Sequence, residues 1–241
     1  MECSEMRPIG FSTGALAYAD FRQGLAKVRN KGLESIELSA LRQNELIPLL
    51  DALPTLDLSG FDYVSIHAPS QFEPTWEEEL CQRLRAEAWR GWPIIVHPDA
   101  INDFGLWREL GTLVCVENMD KRKPIGRTAN ELAVIFEKLP AAKLCFDIGH
   151  ARQIDLTMTE AYLILREFGS RLAQVHVSEV NTRSKHDALS YTSILAFQEV
   201  ARLIPEQIPL ILETPVTEEE MESEISKVRE ALPLDLRTMV A

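Results

Sequence analysis

Histidine and carboxylate residues recur at the ends of short apolar segments of this chain. All five histidines end such a segment or lie just past one: His67, His97, His150, His176 and His186. Three acidic residues occupy matching positions: Glu117, Asp147 and Glu213. Imidazole and carboxylate groups are the usual ligands of catalytic divalent metals. If the segments are parallel strands, their ends converge at one place, and the set predicts a metal centre.

The spacing of these residues follows a repeat. Glu37, His67 and His97 lie 30 residues apart in succession, and Glu117 and Asp147 are separated by the same interval. A strand and the helix that returns the chain to the next parallel strand together take about 30 residues. One candidate ligand in each unit therefore indicates parallel strands whose ends lie side by side. The interval from His97 to Glu117 is only 20 residues, which predicts a short helix there.

Eight apolar, β-branched segments are the expected strands. They are residues 8–12, 33–38, 62–67, 93–97, 112–117, 143–147, 172–177 and 209–213. Amphipathic stretches lie between them, and eight strands that alternate with helices predict a (β/α)8 TIM barrel. We expect one domain over residues 1–241, because no low-complexity linker interrupts the pattern. A doubly wound open sheet is the structural alternative, but it would not close the strand ends around one point.

Threonine and glutamate pairs mark three expected helix starts. In each pair the glutamate follows the threonine by three residues: Thr128 with Glu131, Thr157 with Glu160, and Thr217 with Glu220. At this spacing the two side chains can accept hydrogen bonds from amides of the first helical turn. The pattern therefore predicts that each threonine caps the helix that follows it.

The composition is that of a folded, acidic protein. Hydrophobic residues make up 46% of the 241 residues, which is enough for a substantial core, so a disordered chain is not expected. The formal net charge is −12, and bulk electrostatics would therefore repel a polyanion. We expect a small-molecule substrate and do not expect nucleic acid as a partner.

Neither a membrane span nor a disulfide framework is indicated. The chain has no apolar run of the about 20 residues that a span needs, and its first segment, MECSEMRPIG, lacks the apolar stretch of a signal peptide. The four cysteines form no C-x-x-C pair: Cys3, Cys81, Cys115 and Cys145. We expect reduced thiols in a cytoplasmic protein that does not contact a membrane.

Further polar residues near the strand ends are candidate substrate contacts. Glu37 could contact substrate, orient another ligand from behind, or face solvent. Asn118 follows Glu117 at a strand exit, from which it could reach substrate. The loops after the sixth and seventh strands carry cationic groups suited to phosphate or hydroxyl oxygens. These groups are Arg152, Arg183 and Lys185.

Several motifs of the chain resemble one superfamily. SIHAPS, IIVHP, VENMD, CFDIGHA, VHVSE and LETP are similar to the ligand strands of the endonuclease IV family, and they span nearly the whole chain. That family and many sugar isomerases and epimerases belong to the xylose isomerase-like TIM-barrel superfamily. The resemblance implies the (β/α)8 barrel and a centre of one to three divalent metals, with Zn, Mn, Fe or Co as candidates.

The resemblance also implies which residues hold the first two metals. His67, His97 and Glu117 would bind the first metal. Glu117 would bridge to a second metal, because its carboxylate has two oxygens. The remaining ligands of the second metal would be Asp147, His176 and Glu213. Every one of these positions is filled by the residue type that the family pattern requires.

Two departures separate the chain from the endonuclease IV pattern. The resemblance implies that His150 and His186 hold a third metal or contact substrate. The family has an aspartate two residues before the second of these histidines, whereas this chain has Ser184, so an expected ligand of the third metal is missing. The chain is also shorter and strongly acidic, with tight loops over the barrel mouth. For that reason we do not expect cleavage of abasic DNA.

Two enzymatic reactions fit the ligand set, with Glu117, Glu213 and His150 as catalytic residues. In the first, two metals bridged by Glu117 activate water against a small phosphoester. In the second, one metal polarises a sugar carbonyl in an isomerase or epimerase, while the two glutamates move protons and His150 contacts substrate. A barrel that binds a metal or sugar without turnover is a third alternative. Because a one-metal isomerase does not need both His67 and His97, hydrolysis of a phosphoester is the preferred hypothesis.

Overall fold

Eight parallel strands close into a barrel in the computed structural model of the protein, which describes residues 7–234. The barrel strands are β1 (Ile9–Ser12), β2 (Ser35–Ser39), β3 (Tyr63–His67), β4 (Ile94–Val96), β5 (Val114–Glu117), β6 (Lys143–Asp147), β7 (Leu172–Val177) and β10 (Leu210–Leu212). A short antiparallel pair follows β7 and consists of β8 (Glu179–Val180) and β9 (His186–Asp187). Barrel closure comes from the pairing of β1 with both β2 and β10. The eight predicted strands are confirmed, and their ends differ from the predicted ends by at most two residues.

Helices connect the barrel strands. They are α1 (Thr13–Ala17), α2 (Phe21–Val28), α3 (Gln43–Ala52), α4 (Glu77–Ala86), α5 (Phe104–Arg108), α6 (Ala129–Lys138), α7 (Ile148–Ile154), α8 (Thr159–Phe168), α9 (Tyr191–Ala201) and α10 (Met221–Ala231). The structure therefore confirms the predicted single-domain (β/α)8 barrel, and the helix after β4 has only five residues, as the short interval indicated. Among residues 7–234, no helix combines the length and the apolar character needed to cross a membrane. The expected cytoplasmic location stays a prediction.

The two faces of the barrel strands differ in polarity. On β2, Ile36 and Leu38 belong to the large core that the strands form with the surrounding helices. The alternate residues Glu37 and Ser39 lie on the inner face, because side chains on a strand point alternately to opposite sides. Three inner positions form a separate small apolar cluster: Ile95, Cys115 and Cys145. The barrel interior is thus lined by many small and polar side chains.

The cysteines fit the predicted reduced state. Cys81, Cys115 and Cys145 are buried and make no disulfide among the described residues. Burial raises the pKa of the Cys115 thiol to about 12, so this side chain behaves as a small neutral group inside the barrel. Cys3 lies outside the described residues.

Only one of the three predicted threonine caps is confirmed. Thr128 caps α6, because its hydroxyl accepts a hydrogen bond from an amide of the first turn. The prediction for Thr157 is wrong, since its amide and hydroxyl both donate to the carboxylate of Asp155, and α8 begins two residues later. The prediction for Thr217 is also wrong. Its amide donates to the carboxylate of Glu220 in a turn that precedes α10.

A glycine allows β1 and β2 to approach each other closely. Gly10 pairs with Ser35 in the register of these two strands. A Cβ atom added at Gly10 would lie 1.8 Å from the carbonyl oxygen of Ser35, a backbone atom that cannot move aside without disturbing the barrel. Glycine at this position is therefore a condition of barrel closure.

We expect Gly10→Ala to lower the free energy of unfolding by about 3 kcal/mol, because the added methyl group overpacks the β1–β2 contact. Urea denaturation followed by circular dichroism measures this loss. Gly169→Ala is the matched control, since a Cβ there meets no atom within 4 Å and the backbone is already helical. Equal stability of the two variants would contradict the steric reason given for Gly10.

Candidate metal centre

The predicted ligands meet at the end of the barrel where the strands terminate. His67, Glu117 and Asp147 are the last residues of β3, β5 and β6. His97 directly follows β4, and Glu213 directly follows β10. The carboxyl end of the strands is where barrels of this architecture carry their active sites. The cluster therefore lies where a functional site is expected in this architecture.

The first ligand group consists of His67, His97 and Glu117. The Nε2 atoms of the two imidazoles lie 3.4 Å and 3.2 Å from the same carboxylate oxygen, Oε2 of Glu117. The Nδ1 atom of His67 lies 2.9 Å from the carbonyl oxygen of Ala68, to which it can only donate a hydrogen bond. The lone pair of the neutral ring is then on Nε2, the atom that faces Glu117. This is the tautomer that a metal ligand needs.

The second ligand group consists of Glu117, Asp147, His176 and Glu213. The Nδ1 atom of His176 lies 3.3 Å from Oε1 of Glu117 and 3.4 Å from Oε2 of Glu213. Its Nε2 atom lies 2.8 Å from Oε2 of Glu37 and donates a hydrogen bond to this carboxylate. Nδ1 is therefore free to face the group, as in the carboxylate–histidine–metal arrangement common in metalloproteins.

The described side chains fit a cation in both groups. In each group the candidate ligand atoms lie within 4.8 Å of one another. Oε2 of Glu117 and Oδ2 of Asp147 are buried and accept no hydrogen bond from any residue in the described range 7–234. Buried carboxylate oxygens without a partner are costly, and a bound divalent cation would remove that cost. Histidine and carboxylate donors suit Zn, Mn, Fe and Co.

The charged side chains of the centre shift one another's pKa values. Burial raises the pKa of the Glu213 carboxyl to about 8; the charge of His176 opposes this rise and the nearby carboxylates add to it. Burial opposes protonation of His67, but its contact with Glu117 and the surrounding carboxylates raise its pKa to about 9. Burial also disfavours ionised Glu117, yet the imidazoles of His176 and His97 hold its pKa well below its usual range. A cation would compete with these protons.

His150 and His186 lie beside the second group. The Nδ1 atom of His150 lies 2.9 Å from the carbonyl oxygen of Asn118, which leaves Nε2 as the available ring nitrogen. The Nδ1 atom of His186 lies 2.7 Å from the hydroxyl of Ser178 and 3.7 Å from Oε2 of Glu213. The centroids of the two imidazole rings are 5.5 Å apart. Within residues 7–234, neither histidine belongs to a group of three or more ligands that could surround one ion.

Ser184 does not complete a third group. Its hydroxyl hydrogen-bonds the side-chain amide of Gln153, at 2.9 Å and 3.1 Å from the nitrogen and oxygen. Asp187 is the acidic residue that follows His186 in the sequence. Its carboxylate accepts a hydrogen bond from Asn181 instead. Among residues 7–234 the candidate ligands thus form two groups, and His186 lies at the rim of the centre.

Glu37 and Asn118, the other candidate substrate contacts, are bound to neighbouring protein groups, and their roles as substrate contacts stay predictions. Glu37 is buried behind His176 and holds its ring, which is the orienting alternative that its position allowed. Asn118 is buried, and its amide exchanges hydrogen bonds of 2.7 Å and 2.8 Å with the backbone of Asp147. Both residues thus hydrogen-bond candidate metal ligands, in the manner of groups that orient a ligand from behind.

The three cationic loop residues do not converge on the ligand groups. The guanidinium of Arg152 lies 3.6 Å from the carboxylate of Glu179 and 3.4 Å from the hydroxyl of Thr192. Arg183 and Lys185 are exposed in the loop between β8 and β9. Their roles as substrate contacts stay predictions.

Gln174, which belongs to none of the predicted ligand positions, is a buried residue that contacts both Glu37 and His176. The signal for it was present in β7, whose sequence is LAQVHV. Residues two apart on a strand share one face, so Gln174 had to lie on the same side as His176. A glutamine on the inner face of a barrel strand needs a polar partner, which marks it as part of the centre.

Solved structures match the fold over nearly the whole chain. Endonuclease IV from Thermus thermophilus has a TM-score of 0.59 and 19% identity, over 93% of this chain and 98% of its own. The 3-keto-D-glucoside 4-epimerase from E. coli has a TM-score of 0.54 and 13% identity, over 93% and 98%. A xylose isomerase-like TIM barrel protein from Mycobacterium smegmatis, in complex with magnesium, has a TM-score of 0.55 and 15% identity, over 96% and 100%.

The similarity of this chain to known proteins was found by comparing structures and not by comparing sequences. No protein-family model and no curated protein sequence matches the chain. Because one structural neighbour is named as an endonuclease, the expectation that excluded nucleic acid as a partner is not supported. The chain has the fold of the xylose isomerase-like TIM-barrel proteins, as its strand-end motifs predicted.

Proposed function

We propose that the protein is a metal-dependent enzyme that uses two divalent cations to hydrolyse a small phosphoester. One observation carries this proposal: the two oxygens of Glu117 face different imidazole groups. Oε2 faces His67 and His97, and Oε1 faces His176. A carboxylate in this position suits the bridging ligand of a cation pair, whose members lie about 3.5–4 Å apart in two-metal enzymes.

The cation pair would supply most of the chemistry. When bound, it lowers the pKa of water to give a nucleophile at neutral pH and stabilises charge on the attacked and leaving oxygens. His67 and His97 would hold the first cation with Glu117. The rest of the second set would be Asp147, His176 and Glu213.

His150 is the residue of the chain placed to handle a proton on the substrate. Its Nδ1 atom is fixed on the carbonyl of Asn118, so only Nε2 can contact a bound molecule. We assign this atom as the donor to the leaving oxygen, since a positioned imidazole is the most common general acid in enzymes. His186, at the rim beside Glu213, would contact the same substrate without binding a metal.

An isomerase or epimerase with one cation is the competing reaction. It would use Glu117 and Glu213 to move protons, and both carboxylates do lie at the centre. It gives no reason for two imidazoles to converge on Oε2 of Glu117. A barrel that binds a metal without turnover is disfavoured too, because closed structural sites use four ligands and the first group offers three, which leaves a position for water or substrate.

We expect the wild-type protein, freed of metal and then titrated with zinc chloride, to bind two equivalents. His97→Ala should bind one, since it removes a ligand of the first group only. His186→Ala is the matched control and should still bind two, because His186 lies outside both groups. Equilibrium dialysis with elemental analysis measures the ratio. One equivalent in the wild type would contradict the bridged pair.

We expect the zinc-loaded protein to hydrolyse p-nitrophenyl phosphate or bis(p-nitrophenyl) phosphate, and Glu117→Gln to reduce kcat by about 100-fold or more, since the bridging charge is lost. Glu218→Gln, at an exposed position, is the control and should retain activity. Incorporation of solvent deuterium into a sugar phosphate, without hydrolysis of either ester, would instead show the isomerase.

Zinc binding should release protons at neutral pH. The pKa of about 9 for His67 and of about 8 for Glu213 means that both groups carry a proton at pH 7 in the metal-free protein. Although burial opposes it, the surrounding acidic side chains also raise the pKa of His176, so its Nδ1 atom must lose a proton as well. A cation must displace all of these protons, and we therefore expect release of about three per chain and an apparent affinity that rises from pH 6 to pH 9. Calorimetry in buffers of different ionisation enthalpy measures the release. An affinity that is independent of pH would contradict the proton-loaded centre.

A further inference from the structure

A row of hydrogen-bonded polar side chains crosses the inside of the barrel below the metal centre. We propose that Tyr63, Gln174 and Glu37, the members of this polar row, are positioning residues that hold the ring of His176 with Nδ1 toward the second cation. The proposal rests on the proposed function for its cation, but the hydrogen bonds that carry it belong to the protein alone.

The row joins opposite walls of the barrel. Tyr63 is the first residue of β3 and Gln174 lies in β7, and three strands separate β3 from β7 in either direction around the barrel. The hydroxyl of Tyr63 donates a 2.7 Å hydrogen bond to Oε1 of Gln174. This bond can form only through the barrel interior. Tyr63 lies at the opposite end of β3 from His67, about 13 Å away along the strand.

The amide of Gln174 is held at both ends. Its Nε2 atom donates a 2.7 Å hydrogen bond to Oε2 of Glu37. If the amide turned over, its oxygen would face the carboxylate oxygen, and the hydroxyl of Tyr63 would lose its acceptor. The orientation shown is therefore the one that gives both the Tyr63 hydroxyl and Oε2 of Glu37 a suitable partner. Tyr63 fixes Gln174, and Gln174 fixes the oxygen of Glu37.

That oxygen of Glu37 sets the state of His176. It lies 2.8 Å from Nε2 of the imidazole, which donates to it. Gln174 also approaches this ring nitrogen at 2.8 Å, and because both nitrogens are donors they share the carboxylate oxygen and do not bond each other. With a proton held on Nε2, Nδ1 is the nitrogen that faces Glu117 and Glu213, and it is the atom that could bind a cation once the ring is neutral.

The cost of the row indicates a role beyond packing. The interior of a TIM barrel is usually filled by layers of branched apolar side chains. Here Glu37 and Gln174 are fully buried, and Oε1 of Glu37 has no hydrogen-bond partner among residues 7–234. An apolar layer would fill the same space without these desolvation costs. What the polar row provides and an apolar layer cannot is a fixed proton on His176.

The test compares zinc binding by variants along the row. We expect Glu37→Gln to weaken the second zinc by about 10- to 100-fold, the usual effect of losing the partner of a ligating histidine. Tyr63→Phe removes one distant hydroxyl and should weaken it by about threefold. The first zinc should bind unchanged in both. Ser35→Ala is the matched control, because Ser35 is an inner residue whose buried hydroxyl has no described partner.

NMR of the zinc-loaded protein labelled with ¹⁵N-histidine gives a second measurement that does not depend on affinity. The Nε2–H proton of His176 should exchange slowly with solvent in the wild type and in Ser35→Ala, and faster in Tyr63→Phe and Glu37→Gln. A purely structural row would lower the free energy of unfolding in these variants but leave both the second zinc and this exchange rate unchanged. That result would overturn the proposal.

The two proposals fail in different ways. If the wild type binds one zinc, the two-cation function is wrong, and the exchange rate still decides whether the row holds His176. If the wild type binds two and Tyr63→Phe matches it in both measurements, the row is wrong while the function stands. Tyr63→Phe keeps this decision available should Glu37→Gln fail to fold, because it deletes a single oxygen from a partly exposed residue.

Discussion

The structure depends on one buried carboxylate, that of Glu117, which faces imidazoles with both of its oxygens. His67 and His97 lie on one side and His176 on the other. A carboxylate in such a place is unfavourable without positive charge, and imidazoles shared among several acids supply only part of it. The centre is therefore built for divalent cations. Its proton-loaded state in their absence follows from the same excess of acidic groups.

The barrel makes this arrangement possible because its strands separate two kinds of packing. Apolar side chains on the outer face of the barrel pack against the helices and stabilise the fold. The inner face is then free to carry polar groups, as with Glu37 on β2 and Gln174 on β7. Close approach at Gly10 completes the closure that brings β2 and β7 within reach of each other across the interior. Residues that stabilise the fold thus alternate, along the same strands, with residues of the candidate site.

Periodicity in the sequence predicted the barrel and the convergence of histidine and carboxylate residues at one end of it. The division of these residues into two ligand groups came from the family resemblance. The sequence did not supply contacts between residues that lie far apart in the chain. The roles of Glu37 and Asn118 turn on partners that are far away in the chain, His176 and the backbone of Asp147. Competition between neighbouring hydrogen-bond acceptors also led to a wrong prediction. Thr157 has the spacing of a helix cap, but the carboxylate of Asp155 is a stronger acceptor nearby. Such choices are energetic and cannot be read from spacing.

In the proposed centre, one carboxylate, that of Glu117, would join two cations. Anomalous diffraction at the zinc edge, from crystals of the zinc-loaded protein, tests it most directly. We expect two peaks about 3.5–4 Å apart, with one oxygen of Glu117 directed at each. A single peak among Asp147, His176 and Glu213, with His67 and His97 free of metal, would contradict it.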